Sequence, residues 1–174
     1  MPTTSATPHS PPATPHSPSA PHERAFRLLI RTFGLLERVM QPYFARFGIS
    51  GAQWGVLRNL HRAELGGEPR LRLTDLSRRM LIRPPSVTGL LDRLERAGLI
   101  ARSASDSDLR AKQVALTKKG RALVERVLVV HSRQQARVMS ALTTDEQEQL
   151  DHMLGRLAEH LELMADGPGE PGGN

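Results

Sequence analysis

The sequence predicts a mainly α-helical domain that carries one small antiparallel β-hairpin. Over most of the chain, apolar residues recur every three or four positions, which is the period of an amphipathic helix. Two short segments, 99–103 and 112–116, instead predict strands on either side of a polar loop, 104–111. Prolines and glycines collect at both ends of the chain, so the compact part lies between them.

The two chain ends differ in composition from the rest. Residues 1–22 hold seven of the 13 prolines and, apart from Met1, no large aliphatic side chain, while residues 166–174 hold four glycines and two prolines. Such segments bury too little apolar surface to offset the entropy of ordering. We therefore expect a disordered Pro/Ser/Thr/His-rich arm over 1–22, a single domain over 23–165 and a flexible tail over 166–174.

The first predicted helix, about 24–47, has an unusually wide apolar face. One stripe of apolar residues is joined by a second, formed by Leu28, Leu35 and Val39. A helix on the surface of a monomer needs only one such stripe. We therefore expect this helix to be buried on two sides, once against its own chain and once against a partner. Gly48 ends it.

Local signals place the remaining elements. Ser50 is an N-cap, Thr74 is a second expected N-cap, and Pro84 opens a helix that Gly98 stops. Thr143 and Glu146 fit a capping box. The expected elements are helices 51–61, 74–80 and 84–97, an extended segment 71–73, the two strands, a long helix 117–139 and a last helix from 143. This order is that of a winged helix-turn-helix (about 50–117) between long terminal helices (about 24–47 and 118–164).

The positive charge of the chain is concentrated in the winged unit. The whole chain has a net charge of +6, and residues 68–121 hold 13 basic and six acidic residues. These residues therefore carry +7, and the rest of the chain carries −1. An ordinary solvated surface would spread the excess, so this distribution favours contact with a phosphate backbone.

The helix that begins at Pro84 has the pattern of a DNA-reading helix. Its apolar residues share one side, while Pro85, Ser86, Gly89 and Arg93 lie on or beside the opposite one, with Thr88 flanking. Small and hydrogen-bonding side chains near the N-terminus suit base contacts, and cations suit phosphates. Glycine weakens a helix by about 1 kcal/mol, so close approach of DNA would explain Gly89. The alternative is an ordinary surface helix that tolerates a glycine.

The polar loop between the strands also suits DNA. An arginine at a hairpin tip, here Arg110, can enter a narrow minor groove, where the potential is most negative. Asp108, two residues earlier, can hold this arginine or the loop in place. The alternative is a plain charged turn.

These segments together resemble the MarR family of bacterial transcription regulators. The resemblance is carried by Leu73-Thr-Asp-Leu-Ser-Arg-Arg-Met, by the run from Pro85-Ser-Val-Thr-Gly to Ala97-Gly-Leu-Ile, by Asp108-Leu-Arg110, and by Leu116-Thr followed by Lys119-Gly120. It implies a homodimer built by the terminal helices. Ser86 and Thr88 would then enter the major groove and Arg110 the minor groove, with Asp108 positioning the wing and Lys112 among the cations beside it.

The sequence departs from the family pattern at two positions. Arg83 stands where a capping serine is common, so it is expected to add a phosphate contact in place of the cap. Leu109 stands where a second arginine is frequent, which weakens the case for two contacts at the wing tip.

The resemblance also implies a small-molecule effector, such as an aromatic acid or a phenol, bound between the dimer helices and the DNA-binding unit. Tyr43, Phe47, Trp54 and Arg58 are the candidate ligand residues, and the alternative is that the aromatic residues form a hydrophobic dimer core. The family's peroxide-sensing mode needs a reactive cysteine, and the chain has none. The histidines form no short-spaced ligand set, so neither a metal nor a cofactor is expected.

The sequence thus predicts a cytoplasmic, homodimeric repressor that reads a pseudo-palindromic operator, with half-sites about 10 bp apart on one DNA face. It is expected to be released by a small ligand. The alternative is an effector-independent or architectural DNA-binding protein with the same fold. An enzyme is not expected, because the sequence has no phosphate-cradling loop, metal-ligand set or nucleophile–base motif. No segment predicts a membrane span.

Overall fold

The computed structural model of the chain describes residues 20–80, 84–104 and 112–166. Over these ranges it contains six helices and a three-stranded sheet. The elements are α1 (Pro21–Ala45), α2 (Gly51–Leu65), β1 (Leu71–Arg72), α3 (Leu73–Met80), α4 (Pro84–Arg96), β2 (Ile100–Ala104), β3 (Lys112–Leu116), α5 (Lys118–Met139) and α6 (Thr144–Asp166). The predicted mainly α-helical, winged helix-turn-helix fold is confirmed.

The sheet is antiparallel, with β3 in the centre. Strands β2 and β3 pair from Ile100 opposite Leu116 to Ala104 opposite Lys112, and β1 adds two residues to the other edge of β3. The predicted hairpin is therefore present. The loop that joins its strands, 105–111, lies outside the described residues.

The turn between α4 and β2 explains why β2 begins at Ile100 and not at the expected Leu99. Gly98 has a φ of 70°, and its N–H bonds to the carbonyl of Glu95. The N–H of Leu99 bonds back to Leu94. These two bonds form a Schellman motif, which commits Leu99 to the end of the helix.

Three other predicted boundaries differ by a few residues from those in the structure. Thr74 is not an N-cap, because α3 already begins at Leu73, directly after the two paired residues of β1. Helix α2 continues past His61 to Leu65, which allows it to bury Ala63. Helix α1 begins at Pro21, inside the segment predicted to be a disordered arm, because proline fits the first turn of a helix.

The hydrophobic core lies in the winged unit and in the helix segments beside it. Its buried members extend from Tyr43 near the end of α1 to Val127 in the middle of α5. Every described side chain of α6 is at least partly exposed, and α1 buries only Tyr43 and Phe44. The two terminal helices thus extend away from the core of their own chain.

The start of α5 packs tightly against the start of the wing. The side chain of Thr117 caps α5 by accepting a hydrogen bond from the N–H of Gly120, and it donates to the carbonyl of Gly98. A Cβ added to Gly120 would clash with the carbonyl oxygen of Leu99. The Leu-Thr-x-x-Gly run therefore has a packing reason, which fixes α5 against the turn that ends α4.

Candidate nucleic-acid interface

Helix α4 presents the two faces that its sequence predicts. Four apolar residues are buried against the core: Val87, Leu90, Leu91 and Leu94. Ser86, Thr88, Gly89 and Arg93 are exposed on the other side. Pro85 is the second residue of the helix. The exposed side near the N-terminus is therefore small and polar, and it becomes cationic towards Arg96.

Gly89 is not required by the packing of this chain. Among residues 20–80, 84–104 and 112–166, a Cβ built at this position meets no atom within 4 Å. Its φ is also not among the positive values found at Gly48, Gly67 and Gly98. Neither sterics nor backbone conformation therefore explains a helix-weakening residue here, which leaves close approach of another molecule as a reason for it.

The cations of the winged unit divide into exposed and paired groups. Arg93, Arg96 and Lys112 are exposed, and the Arg78 side chain is 80% exposed although it lies 3.5 Å from Asp75. Two other arginines hold parts of the unit together. Arg79 bonds to Glu68 at 2.8 Å, and Arg121 of α5 bonds to Glu64 of α2 at 2.6 Å. The first group suits phosphate contacts, whereas the second has a structural role as well.

Arg102 on β2 is bound to α4. Its Nη2 lies 2.6 Å from Oδ1 of Asp92 and donates to the carbonyl oxygen of Thr88 at 3.3 Å. Its buried Nε lies 3.5 Å from Oε2 of Glu95 and makes no hydrogen bond within the part of the chain that the structure describes. In the sequence, Arg102 stands out only as one of the basic residues of the winged unit. The contacts with α4 depend on how the hairpin folds back, which local patterns do not reveal.

Three predicted DNA-binding residues, Arg83, Asp108 and Arg110, lie outside the described residues. Their roles therefore stay predictions. Lys112 is the first residue of β3, pairs with Ala104, and is exposed where the wing loop returns to the sheet.

The candidate ligand residues do not line a single cavity. Trp54 and Arg58 line a cavity of about 410 Å³ between α2 and α5, together with Arg62 and His131. Phe47 lines a different cavity, of about 340 Å³, beside Lys119. Tyr43 is buried and belongs to the aromatic cluster between them. The expectation of one site formed by all four is therefore not what the unbound chain shows.

His131 lines the same cavity as Trp54 and Arg58, although it was not among the ligand residues predicted from the sequence. Its ring stacks on Tyr43, lies edge-on to Trp54 with centroids 5.1 Å apart, and places Nδ1 3.3 Å from the Tyr43 hydroxyl. Burial, and secondarily the charge of Arg58, lower the pKa of His131 below its ordinary value, so the ring is neutral at pH 7. Burial raises the pKa of Tyr43, against a smaller opposing effect of Arg46. Tyr43 and His131 are 88 positions apart in the sequence, which explains why no local pattern indicated the pair.

The terminal helices leave large apolar side chains uncovered. Phe26 and Phe33 of α1 are 67% and 61% exposed, and Leu161 of α6 is 51% exposed. A cavity of about 700 Å³, lined mainly by Leu, Val and Met side chains, opens where α1, α5 and α6 meet. Apolar surface of this extent is expected to be covered by another molecule.

In ranges 20–80, 84–104 and 112–166, no group of three or more His, Asp or Glu side chains is placed to hold a metal ion. Over the same ranges, no helix is both long and apolar enough to cross a membrane.

A family model and two known repressors match this chain in sequence. A family model described as the MarR family matches residues 47–111. The transcriptional repressor YetL of Bacillus subtilis (strain 168) is 33% identical over 131 residues, which are 75% of this chain and 77% of YetL. The homoprotocatechuate degradative operon repressor of Escherichia coli is 32% identical over 114 residues, which are 66% of this chain and 74% of that repressor.

The fold is also similar to a solved structure with DNA. The S. aureus MepR–DNA complex has a TM-score of 0.68 at 25% identity, and the match covers 82% of this chain and 99% of the MepR chain. This chain belongs to the MarR family of DNA-binding transcription regulators.

Proposed function

We propose that the chain is a sequence-specific, homodimeric repressor that a small ligand releases from its operator. The single observation that carries the proposal is the exposed face of α4. It combines small, hydrogen-bonding and cationic residues on a helix whose other face is buried, within a unit of net charge +7. This is the arrangement that a helix needs to read bases in a major groove.

Each DNA contact follows from the chemistry of the residue. Ser86 and Thr88 offer hydroxyl groups to base edges, and Gly89 allows close approach of the helix. Arg93, Lys112 and Arg83 contact phosphates. Arg110 enters the minor groove, with Asp108 holding the wing loop.

The homodimer covers the exposed apolar side chains of α1 and α6. A twofold axis between these helices repeats α4, and the two copies then read half-sites about 34 Å, or one helical turn, apart. Substitution of Phe33 by Asp tests this contact, because the side chain is 61% exposed in the single chain. We expect a dimer that dissociates at higher concentration than the wild type in analytical ultracentrifugation. An unchanged dimer would remove α1 from the proposed interface.

The effector is proposed to be a small aromatic acid or phenol. The cavity between α2 and α5 offers the indole of Trp54 as an apolar wall and Arg58 and Arg62 as partners for a carboxylate. One relative is named as the repressor of a homoprotocatechuate degradative operon. A ligand releases DNA only if it binds better to a geometry that DNA does not accept.

A thermal-shift screen of aromatic acids tests the effector. A ligand at 100 times its Kd stabilises the protein by about 2.7 kcal/mol, which raises its Tm by several degrees. The same acid should release the bound duplex. Replacement of Arg58 by Gln should abolish both the thermal shift and the release of DNA. Arg133→Gln removes the same charge from a residue that does not line this cavity, so it should leave both unchanged. Release of DNA without a shift, or a shift retained in the Arg58 variant, would contradict this site.

The wing contact is tested with a duplex enriched from a random library by the wild-type protein. Arg110→Ala should weaken binding and reduce the dependence of log Kd on log salt by about one unit, because one phosphate-region cation is lost. Equal binding by variant and wild type at several salt concentrations would refute the wing assignment. Failure to enrich any sequence would favour an architectural DNA-binding protein.

A further inference from the structure

Arg102 connects the wing to the helix proposed to read the bases. It lies on β2, and its guanidinium reaches three residues of α4: Thr88, Asp92 and Glu95. These residues lie on successive turns, so the contacts span about two turns of the helix. The side chain is only 21% exposed, and the carboxylates of Asp92 and Glu95 are 49% and 42% exposed.

The geometry needs an arginine. Nη2 of the guanidinium contacts Asp92 and Thr88, while Nε lies near Glu95, so two nitrogens of one planar group face two carboxylates on α4. The ammonium group of lysine has a single nitrogen, which cannot occupy both positions. Because Arg102 is partly buried, salt and water screen its ion pairs less than they screen a fully exposed pair.

We propose that Arg102 is a positioning residue, which fixes the orientation of the β2–β3 hairpin relative to α4 so that both engage DNA together. The inference rests on the proposed function, because it assumes that α4 and the hairpin contact one duplex. Affinity gained from two tethered contacts depends on their relative geometry. A hairpin released from α4 would lose its contacts before α4 does.

A simpler role for Arg102 would be to neutralise the two carboxylates. Asp92 and Glu95 lie on α4 beside Arg93, and without Arg102 their charge would repel phosphates. The two roles are separable, because the carboxylates can be neutralised without restoring the link between the hairpin and α4.

The test uses the full chain and the duplex that the wild type enriches. Arg102→Met removes the contacts, Arg102→Lys keeps the charge, and the triple variant Arg102→Met/Asp92→Asn/Glu95→Gln removes the link without leaving unpaired carboxylates. Arg121→Met is the matched control, since it loses the same charge from a 2.6 Å ion pair between α2 and α5. Affinity at several salt concentrations and chemical footprints of each groove are measured.

We expect Arg102→Met to weaken binding by about tenfold or more, the loss that corresponds to about 1.4 kcal/mol. Its salt dependence should become shallower, and minor-groove protection should be lost while major-groove protection persists. The Arg102→Lys variant and the triple variant should show the same loss of minor-groove protection. Arg121→Met should keep the wild-type balance between the two grooves.

Three results would overturn the proposal. They are wild-type affinity and footprint in Arg102→Met, full recovery in the triple variant, and equal loss of protection in both grooves. The second result would leave Arg102 as a charge neutraliser, and the third as a residue that only stabilises the fold. Thermal unfolding shows whether Arg102→Met folds. If it does not, the affinity and footprints of Arg102→Lys are used to test the proposal. If the wild type enriches no sequence, the proposed function itself is contradicted. Failure of the proposed function is therefore distinguishable from failure of the proposal for Arg102.

Discussion

Replacement of Gly89 by alanine separates the stability of the fold from DNA binding. The substitution adds one methyl group to the exposed face of α4. No atom of the residues that the structure describes lies within 4 Å of the added carbon. The methyl group therefore meets no clash within the described part of the fold, and we expect any loss of function to arise from contact with another molecule.

The magnitude follows from the open space and the helical position. Alanine is favoured over glycine by about 0.8–1.0 kcal/mol in a helix interior, so the free energy of unfolding should rise by about 1 kcal/mol. For a chain of this size, the Tm rises by about 2–4 °C. If DNA lies against Gly89, the methyl group overpacks that contact at a cost of about 1–3 kcal/mol, a loss of roughly 5- to 150-fold in affinity.

The assay combines chemical denaturation at one fixed protein concentration with fluorescence anisotropy on the enriched duplex. Gly155→Ala in α6 is the control, because its added carbon also meets no atom of the described residues within 4 Å and lies outside the basic unit. Since α6 belongs to the proposed dimer contact, analytical ultracentrifugation checks that this variant dimerises as the wild type does. It should gain similar stability and bind DNA as the wild type does. A more stable Gly89→Ala variant with unchanged affinity would refute close approach of DNA at this position.

The remaining predictions concern stability. Gly120→Ala should destabilise the fold by about 1–3 kcal/mol, because the new Cβ clashes with the carbonyl of Leu99, and a stability equal to that of the wild type in urea denaturation would refute this packing. His131 has a pKa below its ordinary 6.5, so the unfolded state takes up the proton first and stability falls as the pH drops below about 6.5. In His131→Gln, this part of the acid dependence should disappear from unfolding curves followed by the fluorescence of Trp54; an identical pH profile would contradict it. Ser50→Ala breaks the capping box of α2 and should cost about 1 kcal/mol, measured against a Ser132→Ala control.

Local chemistry allowed much of the fold to be predicted from the sequence. The buried and exposed faces of α4 follow from a period of 3.6 residues, and the structure confirms them. The capping box at Thr143 and Glu146 is also present, with the Thr143 N–H bonded to the Glu146 carboxylate at 2.8 Å. Hydrogen bonds donated to this carboxylate by the N–H and the hydroxyl of Thr143 lower the pKa of Glu146. Such features depend on residues at most four positions apart.

Features that depend on distant residues could not be predicted in this way. The contacts of Arg102 depend on how the hairpin lies across α4, and the stack of His131 on Tyr43 depends on how α5 crosses α1. The predicted N-cap of α3 at Thr74 was wrong for a related reason. The sheet pairs only two residues of β1, so the helix starts sooner than the cap signal at Thr74 suggested.

The candidate ligand residues show the same limit. Tyr43, Phe47 and Trp54 belong to one aromatic cluster, and Arg58 lines a cavity with Trp54. Sequence position did not reveal that Phe47 faces one cavity while Trp54 and Arg58 face another. Only the packing of α5 against α2 divides the region in two.

The measurement that tests the central claim most directly is the ratio of two affinities. The full-length protein is titrated at physiological salt onto the duplex that it enriches and onto a scrambled duplex of the same composition. We expect the enriched duplex to bind about 10³-fold more tightly or better, with two protected half-sites about one helical turn apart. Equal affinities for the two duplexes would contradict a sequence-specific regulator.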